Sequence, residues 1–379
     1  MRKLLVSIIC CMIPMRRARH KVRRFFAQSF SNKQLNKFIK SKQGNVLLIE
    51  PNPYHGEIIP GFVKYWEDLG YKVDLILQPK LRNDSPFIRH KNKPNAFYMI
   101  PAIQKKALAL QKIKKYDFVF MTTSVYWSDG VVDSYPKWLG FLPDAKYGVM
   151  MIEHNVIPWV KDYGHDKFVN QKRSFTLTGN HDIPMLNPHY FGDIEITPKS
   201  DKTIFSGVIN YGDGEVIFTA VRKLLNRGIT NFSVVITGRS PIKKIPRDLK
   251  SHIKMTGLMS FSKLWKFYET ADFLLPTLIP GIPYYDRYKN STVTGSFQTS
   301  LAFCKPMLME KSFAEHYWLD DTNALTYDGV DNLAESMEYA IKLSGKKYQE
   351  IQNNIKKLAD KIEHESLVNL KQTINFLKK

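Results

Sequence analysis

Short apolar runs alternate with helical segments that end in glycine; the alternation stops near residue 153 and resumes near residue 203. This interrupted rhythm restricts the fold more than any other feature, because strands alternating with helices form parallel sheets covered on both faces. In the first series, residues 45–49 (NVLLI) form a continuous apolar run suited to a buried parallel strand, and it ends in the loop PNPYHGE. A helix is expected over 58–69, closed by Gly70, and a strand over 72–77 (KVDLIL). A helix over 104–115 leads into a strand at 117–121 (DFVFM), and the region 131–139, closed by Gly140, leads into 147–152 (YGVMMI).

Residues 153–199 are irregular and rich in Pro, Asn and His, which marks a crossing between domains. His181, Asp182 and His189 fall there, but the surrounding prolines favour a turn over a metal site. The second series then runs as a strand at 203–206 ending in Gly207, a helix over 214–227 stopped by Gly228, a strand at 232–237 ending in Gly238 and Arg239, and a strand at 252–256 ending in Gly257. Ser260 is placed to cap a helix that carries Phe261, Leu264, Trp265 and Tyr268 on one face, and a strand follows at 271–276. The stretch YDRYKNSTVTGSFQTSLAFCKPMLMEK comes next, in which Asn290, Ser291 and Thr292 can cap a helix that buries Val293, Phe297 and Leu301. Its open face would carry Thr294, Gly295 and Thr299, and its free N–H groups would suit a diphosphate, although an ordinary serine-threonine cap reads the same way. A strand at 324–327, a helix over 331–343 and one or two helices from 348 onward, with a break at 363–366, complete the chain.

At 379 residues two domains are the default expectation. The net charge of +21 is unevenly placed, for the first 42 residues hold 12 Lys or Arg and no carboxylate. An apolar run from Leu4 to Met15 precedes RRARHKVRR; it is shorter than the roughly 20 residues that span a bilayer, and the basic block resists translocation. Residues 1–24 therefore suit an anionic membrane surface, and the expected location is cytoplasmic and peripheral at the inner face of the plasma membrane. Three cysteines, Cys10, Cys11 and Cys304, make no disulfide framework and fit a reducing compartment. The charge is confined to one end without an RNA- or DNA-binding motif, so nucleic acid is not an expected partner. Neither a G-x-G-x-x-G nor a Walker loop is present, which disfavours dinucleotide and P-loop enzymes.

Residues 45–343 resemble the GT-B glycosyltransferases, in particular the retaining family 4 enzymes of bacterial surface glycans. The resemblance rests on PNPYHGEIIPGFVKYWEDLGYKVDLI, FSGVINYGDGEVIFTAVRKLL, TGLMSFSKLWKFYETADFLLPT and STVTGSFQTSLAFCKPML, in that order. It implies an α/β chain with two Rossmann-like doubly wound domains facing a cleft. The expected division is a basic leader at 1–42, an acceptor-side domain at 43–195, a nucleotide-sugar-side domain at 196–345 and C-terminal helices at 346–379.

The activity implied is transfer of a sugar from a nucleotide-sugar donor to a lipid-linked, lipooligosaccharide or capsule-type glycan. Nucleotide sugar is the co-substrate, and no cofactor or metal is expected, since helix dipoles and basic side chains can stabilise a departing nucleoside diphosphate; no Asp-x-Asp is present. By the same resemblance His154 and Glu153 are catalytic candidates, and Tyr54, His55 and Gly56 form an acceptor or phosphate loop. Gly207, Asn210, Arg239, Gly257, Ser291, Thr292, Thr294, Gly295 and Thr299 are donor-side candidates. The family's two glutamates fall at Ser291 and Thr299, and its diphosphate-binding Arg and Lys near Val208 and Asp213, so none of these four groups is present. A sugar-nucleotide epimerase and a catalytically silent glycan-binding or scaffold protein remain alternatives.

Overall fold

The computed structural model describes residues 16–91, 93–128, 131–179, 181–208, 214–238 and 244–379. Its first half is a parallel sheet of β1 (Val46–Ile49), β2 (Val73–Leu77), β3 (Asn95–Tyr98), β4 (Phe118–Met121), β7 (Val149–Glu153) and β8 (Ser174–Thr176), ordered β3-β2-β1-β4-β7-β8. Strands β1, β2, β4 and β7 are buried along their whole length; β1 and β4 are apolar throughout, whereas β2 carries Asp74, whose carboxylate accepts from the Gly44 N–H and the Tyr116 hydroxyl, and β7 ends in Glu153. Helix α1 (Arg16–Lys40) and helix α3 (Pro101–Leu108) cover one face, and α2 (Ile59–Asp68) the other.

The second half repeats the plan. Strands β9 (Thr203–Val208), β10 (Phe232–Thr237), β11 (Ile253–Gly257) and β12 (Phe273–Pro276) are parallel in the order β11-β10-β9-β12. Strand β13 (Leu308–Glu310) joins β12 through a bridge between Leu274 and Met307 and pairs with β14 (Leu325–Tyr327). Both halves thus follow the doubly wound order 3-2-1-4-5-6 when strands are counted within each half, and this order sets a crevice at the carboxyl ends of the strands. Helices α7 (Gly214–Asn226), α8 (Phe261–Thr270), α9 (Pro283–Asn290), α10 (Gly295–Phe303), α11 (Leu333–Lys342) and α12 (Gly345–Leu377) complete this half.

Four sequence expectations change. Residues 131–139 are not one helical region, for β5 (Val125–Ser128) and β6 (Val131–Ser134) pair as an antiparallel hairpin and only α4 (Tyr135–Leu139) is helical. The helix expected over 104–115 is α3, which Pro101 starts and which ends at Leu108. The irregular segment after residue 153 holds α5 (Val156–Tyr163), α6 (Asp166–Asn170) and β8, whose three residues are too few for a periodic signal. Finally, α12 is a single helix with no break at 363–366. Its apolar register shifts because Tyr348, Ile351, Ile355 and Ile362 enter the second core whereas Leu370 and Ile374 enter the first. Ser366, at that shift, accepts a hydrogen bond from the Asn187 N–H at 3.0 Å.

The halves also meet directly. Ser260 sits at the N-cap of α8 without a capping hydrogen bond; the carboxylate of Asp84, from the first half, accepts from the Phe261 N–H at 2.7 Å instead. Gly56 belongs to this junction, because a Cβ there would lie 2.7 Å from Leu81 and 3.1 Å from Phe261.

Candidate active-site cleft

A cavity of about 340 Å³ lies between the halves, bounded by the loops after β1, β4 and β7 on one wall and by α9 and α10 on the other. Its size suits a small-molecule ligand.

His154 follows β7 directly and lines the first wall. Its Nε2 is 2.7 Å from the Thr122 carbonyl, which can only accept, so Nε2 carries the proton and Nδ1 keeps its lone pair. Burial pushes its pKa down to about 3, helped by the neighbouring His55, and holds the ring neutral. The His55 ring centroid is 4.9 Å away. His55 itself has left-handed backbone (φ 58°), a conformation uncommon for residues other than glycine. Desolvation by the cleft walls opposes its charged form although the side chain is 44% exposed, but Glu57, 3.8 Å away, and Glu50 outweigh that and raise its pKa.

Beneath this pair Glu50, the residue after β1, is fully buried. Burial pushes its pKa up to about 7 against the hydrogen bonds it accepts from Thr122 Oγ1 (2.6 Å) and the Asn52 N–H (2.7 Å). Asn52 then ties the β5–β6 hairpin to the loop, its Oδ1 accepting from the Trp127 N–H at 2.6 Å and its Nδ2 donating to the Val125 carbonyl at 2.9 Å. Tyr54 and Trp127 stand at the lip with ring centroids 6.1 Å apart. Glu153 is not among the lining residues. It is buried, accepts from Ser124 Oγ at 2.5 Å and lies 2.9 Å from His165 Nδ1.

The second wall begins at Arg287 on α9. Its guanidinium lies 4.1 and 4.9 Å from the ring centroids of Tyr284 and Tyr288, and its Nη2 donates to both hydroxyls at 2.5 and 3.0 Å. The buried Nε has no hydrogen-bond partner. Helix α10 starts at Gly295, whose missing side chain leaves the space in front of the helix open. One turn on, Gln298 lines the cavity at 2% exposure and its Nε2 is without a partner. A stacked cation, a helix start and a buried unpaired amide converge on one cavity, an arrangement that can hold an oxyanion or a polyhydroxyl ligand.

The hydroxyl-rich turn differs from its sequence expectation. Asn290 ends α9, and the Ser291 and Thr292 N–H groups both donate to the Arg287 carbonyl at 2.9 Å, so these three residues do not cap the next helix. Thr294 is the cap, accepting from the Ser296 N–H at 3.3 Å. Nor does the helix have an open face carrying Thr294 and Thr299, for both are buried, and Thr299 Oγ1 donates back to the Gly295 carbonyl at 2.9 Å. Ser291 is buried at the junction between halves, with Oγ bonded to Asn155 and its carbonyl accepting from the Val156 N–H at 2.8 Å.

Of the sequence candidates, Tyr54, His55, His154, Thr292 and Gly295 therefore line the cavity, and Gly56, Glu153, Ser291, Thr294 and Thr299 do not. Gly207 lies in β9, packed on Ile217 and Val234, and Gly257 ends β11, both away from the lining. Asn210 and Arg239 lie outside the described residues. Glu50, Asn52, Glu57, Arg287 and Gln298 were not singled out from the sequence. Arg287 had a signal, since Tyr284 and Tyr288 flank it at helical spacing; an isolated Gln or a Glu after a strand has none. Among the described residues no three His, Cys, Asp or Glu side chains gather as a metal-ligand set, and His181 instead contacts the Asn290 carbonyl.

No family model and no curated protein sequence matches the chain. Solved structures do. AviGT4, a glycosyltransferase involved in avilamycin A biosynthesis, aligns with a TM-score of 0.53 at 13% identity, covering 87% of this chain and 98% of its own. Anabaena HepE in complex with UDP-glucose aligns with 0.53 at 10% identity, covering 87% and 99%. A point mutant of T4 phage BGT in complex with UDP-glucose gives 0.53 at 14% identity, again covering 87% and 99%. At these identities the likeness is one of fold: the chain has the GT-B arrangement of two Rossmann-like domains about a cleft.

Proposed function

We propose that this protein is a glycosyltransferase that moves a sugar from a nucleotide-sugar donor to a glycan acceptor. One observation carries the reading: Arg287, the start of α10 and the unpaired Gln298 amide face neutral His154 across a single interdomain cavity. HepE and the T4 phage protein, which share the fold, are described with UDP-glucose, which supports a nucleotide sugar as donor.

In this reading the donor diphosphate lies against the second wall. As the bond from the anomeric carbon to the phosphate oxygen breaks, the electron pair stays with the nucleoside diphosphate, and Arg287 and the α10 N-terminus stabilise the added charge. The acceptor hydroxyl hydrogen-bonds to His154 Nδ1 on the first wall; its oxygen bonds to the anomeric carbon and its proton passes through Nδ1 to the released diphosphate or solvent. Charge compensation by these groups needs no divalent metal, so activity should survive chelation.

The family 4 assignment, with hydroxyls at its two glutamate positions, and the division into an acceptor side at 43–195 and a donor side at 196–345 belong to the same proposal. So does a lipid-linked, lipooligosaccharide or capsule-type acceptor at the inner face of the plasma membrane, approached through the basic residues 1–24, of which 1–15 lie outside the described residues.

The test is a thermal-shift screen of nucleoside diphosphates followed by donor turnover with and without a membrane lipid extract. Stabilisation by one nucleotide and extract-dependent release of its diphosphate are expected. No shift and no turnover with any donor would leave a non-catalytic glycan-binding protein, and acceptor-independent conversion of the donor would indicate an epimerase.

A further inference from the structure

Large exposed apolar side chains gather at one lip of the cleft. Among the described residues fifteen are strongly exposed, and Tyr54 (45%), Trp127 (58%), Val131 (41%), Val132 (54%) and Ile157 (46%) all belong to the cleft-lip loop, the β5–β6 hairpin and α5. Trp127 and Val132 are direct cross-strand partners and so share one face of the hairpin. The opposite face is used at Tyr126, which is buried and stacks on Trp138 with centroids 4.3 Å apart, and it carries Val131 exposed near the turn. Helix α5 packs beside β6 and extends the open apolar face through Ile157. A cluster of this kind around a cavity mouth marks an interaction surface.

The occupant follows from what stands next to it. Helix α1 runs antiparallel to β3: Phe38 packs on Phe97, Gln34 accepts from the Tyr98 N–H, and Ser31 Oγ accepts from the Ile100 N–H at 3.0 Å. Ser31 is therefore level with the carboxyl edge of the sheet, and residues 16–30 project about 22 Å past it at 1.5 Å per residue. The hairpin rises from the same edge, after β4, and Phe38 and Tyr126 belong to the same core cluster, so helix and hairpin share one face and one end of the sheet. From Arg16 to Lys40 the helix carries nine Lys or Arg and no carboxylate, with Lys21, Arg23 and Arg24 exposed and Phe25 69% exposed among them. Basic charge beside exposed aromatic and branched aliphatic groups complements an anionic bilayer interface. No helix among the described residues is long and apolar enough to cross it.

We infer that the β5–β6 hairpin and α5 form an apolar docking lip that, together with α1, seats the mouth of the cleft on an anionic lipid bilayer. The cleft then opens at the lipid surface, and an acceptor carried by the bilayer reaches His154 without leaving it. This last consequence rests on the proposed transferase reading; the docking itself does not.

The full chain is floated with phosphatidylcholine vesicles, with and without phosphatidylglycerol, and compared with the Val132→Asp/Ile157→Asp double variant at low and high salt. Wild type is expected to bind the anionic vesicles, the variant to bind about tenfold more weakly, and hydrogen exchange in 125–134 and 156–163 to slow only with those vesicles. Equal binding by wild type and variant, or no change in exchange at the hairpin, would show that α1 acts alone and overturn the inference. So would a concentration-dependent dimer abolished by the variant without any vesicle effect, which would give the lip to a second copy. Nucleotide thermal shift on the same samples reports the donor reading separately, so each can fail without the other.

Discussion

On one wall of the cleft Glu50, His55, Glu57 and His154 crowd into a loop and two strand ends; on the other, Arg287 is the single cation among the described lining residues, set among amide, hydroxyl and backbone groups. The first wall is a balance of burial against neighbouring charge, which drives its two histidines apart, one toward the neutral form and one toward the charged form. The second wall holds its cation by stacking on two tyrosine rings and leaves donors unpaired. The contrast teaches a division of labour, since a group that handles an acceptor hydroxyl profits from a tuned proton affinity, whereas a diphosphate is best met by a fixed cation and oriented dipoles.

His154→Ala should separate the two walls most strongly. Transfer should fall by roughly a hundredfold or more while nucleoside diphosphate affinity is unchanged, as read by kcat and by calorimetric titration; a matching loss of nucleotide affinity would put His154 on the donor side. Arg287→Ala should do the converse, weakening nucleoside diphosphate binding about thirtyfold or more, with Arg287→Lys recovering part of it.

The third test uses pH. His154 in the folded state titrates near 3, below its unfolded value, so the unfolded chain binds the extra proton first and stability falls as pH drops below about 6.5. His154→Gln should reduce the stability lost between pH 7.5 and pH 5 by on the order of 2 kcal/mol. Glu50 has the opposite sign: its folded value, near 7, lies above the unfolded one, so its contribution is present below about pH 4.5 and is lost as pH rises through 7. The Glu50→Gln variant should flatten that limb in urea melts. The smallest effect is expected from Gln298→Leu, about fivefold in donor affinity with little change in Tm, because the amide Nε2 has no partner to lose.

Much of the fold was legible because strands buried on both faces are strongly apolar, as in VLLI at β1 and FVFM at β4. Strand β3 (NAFY) was not, because at the sheet edge it is only partly buried and mixes polar with apolar residues, nor was β8 (SFT), which is three residues long, and the hairpin VYWS–VVDS was hidden because its open apolar face imitates a buried one. The site divides in the same way. His55 and His154 were visible as polar residues at the ends of strand and loop signals, whereas Ser291 and Thr299 drew notice as free hydroxyls and are occupied by Asn155 and the Gly295 carbonyl. A hydroxyl that can bond its own helix is chemically the same in sequence as one that waits for a ligand.

The two series of strands and helices, and hence the doubly wound halves, follow from local sequence, because element type depends on periodicity over a few residues. Which wall each polar group serves depends on long-range packing: Glu153 turns to His165 while His154 beside it faces the cleft, and Arg287 and Gln298 meet it from the other half. The reason is physical. Neighbouring residues at a strand end point in opposite directions, and groups far apart in the chain meet only when the two cores and the helix shared between them have packed.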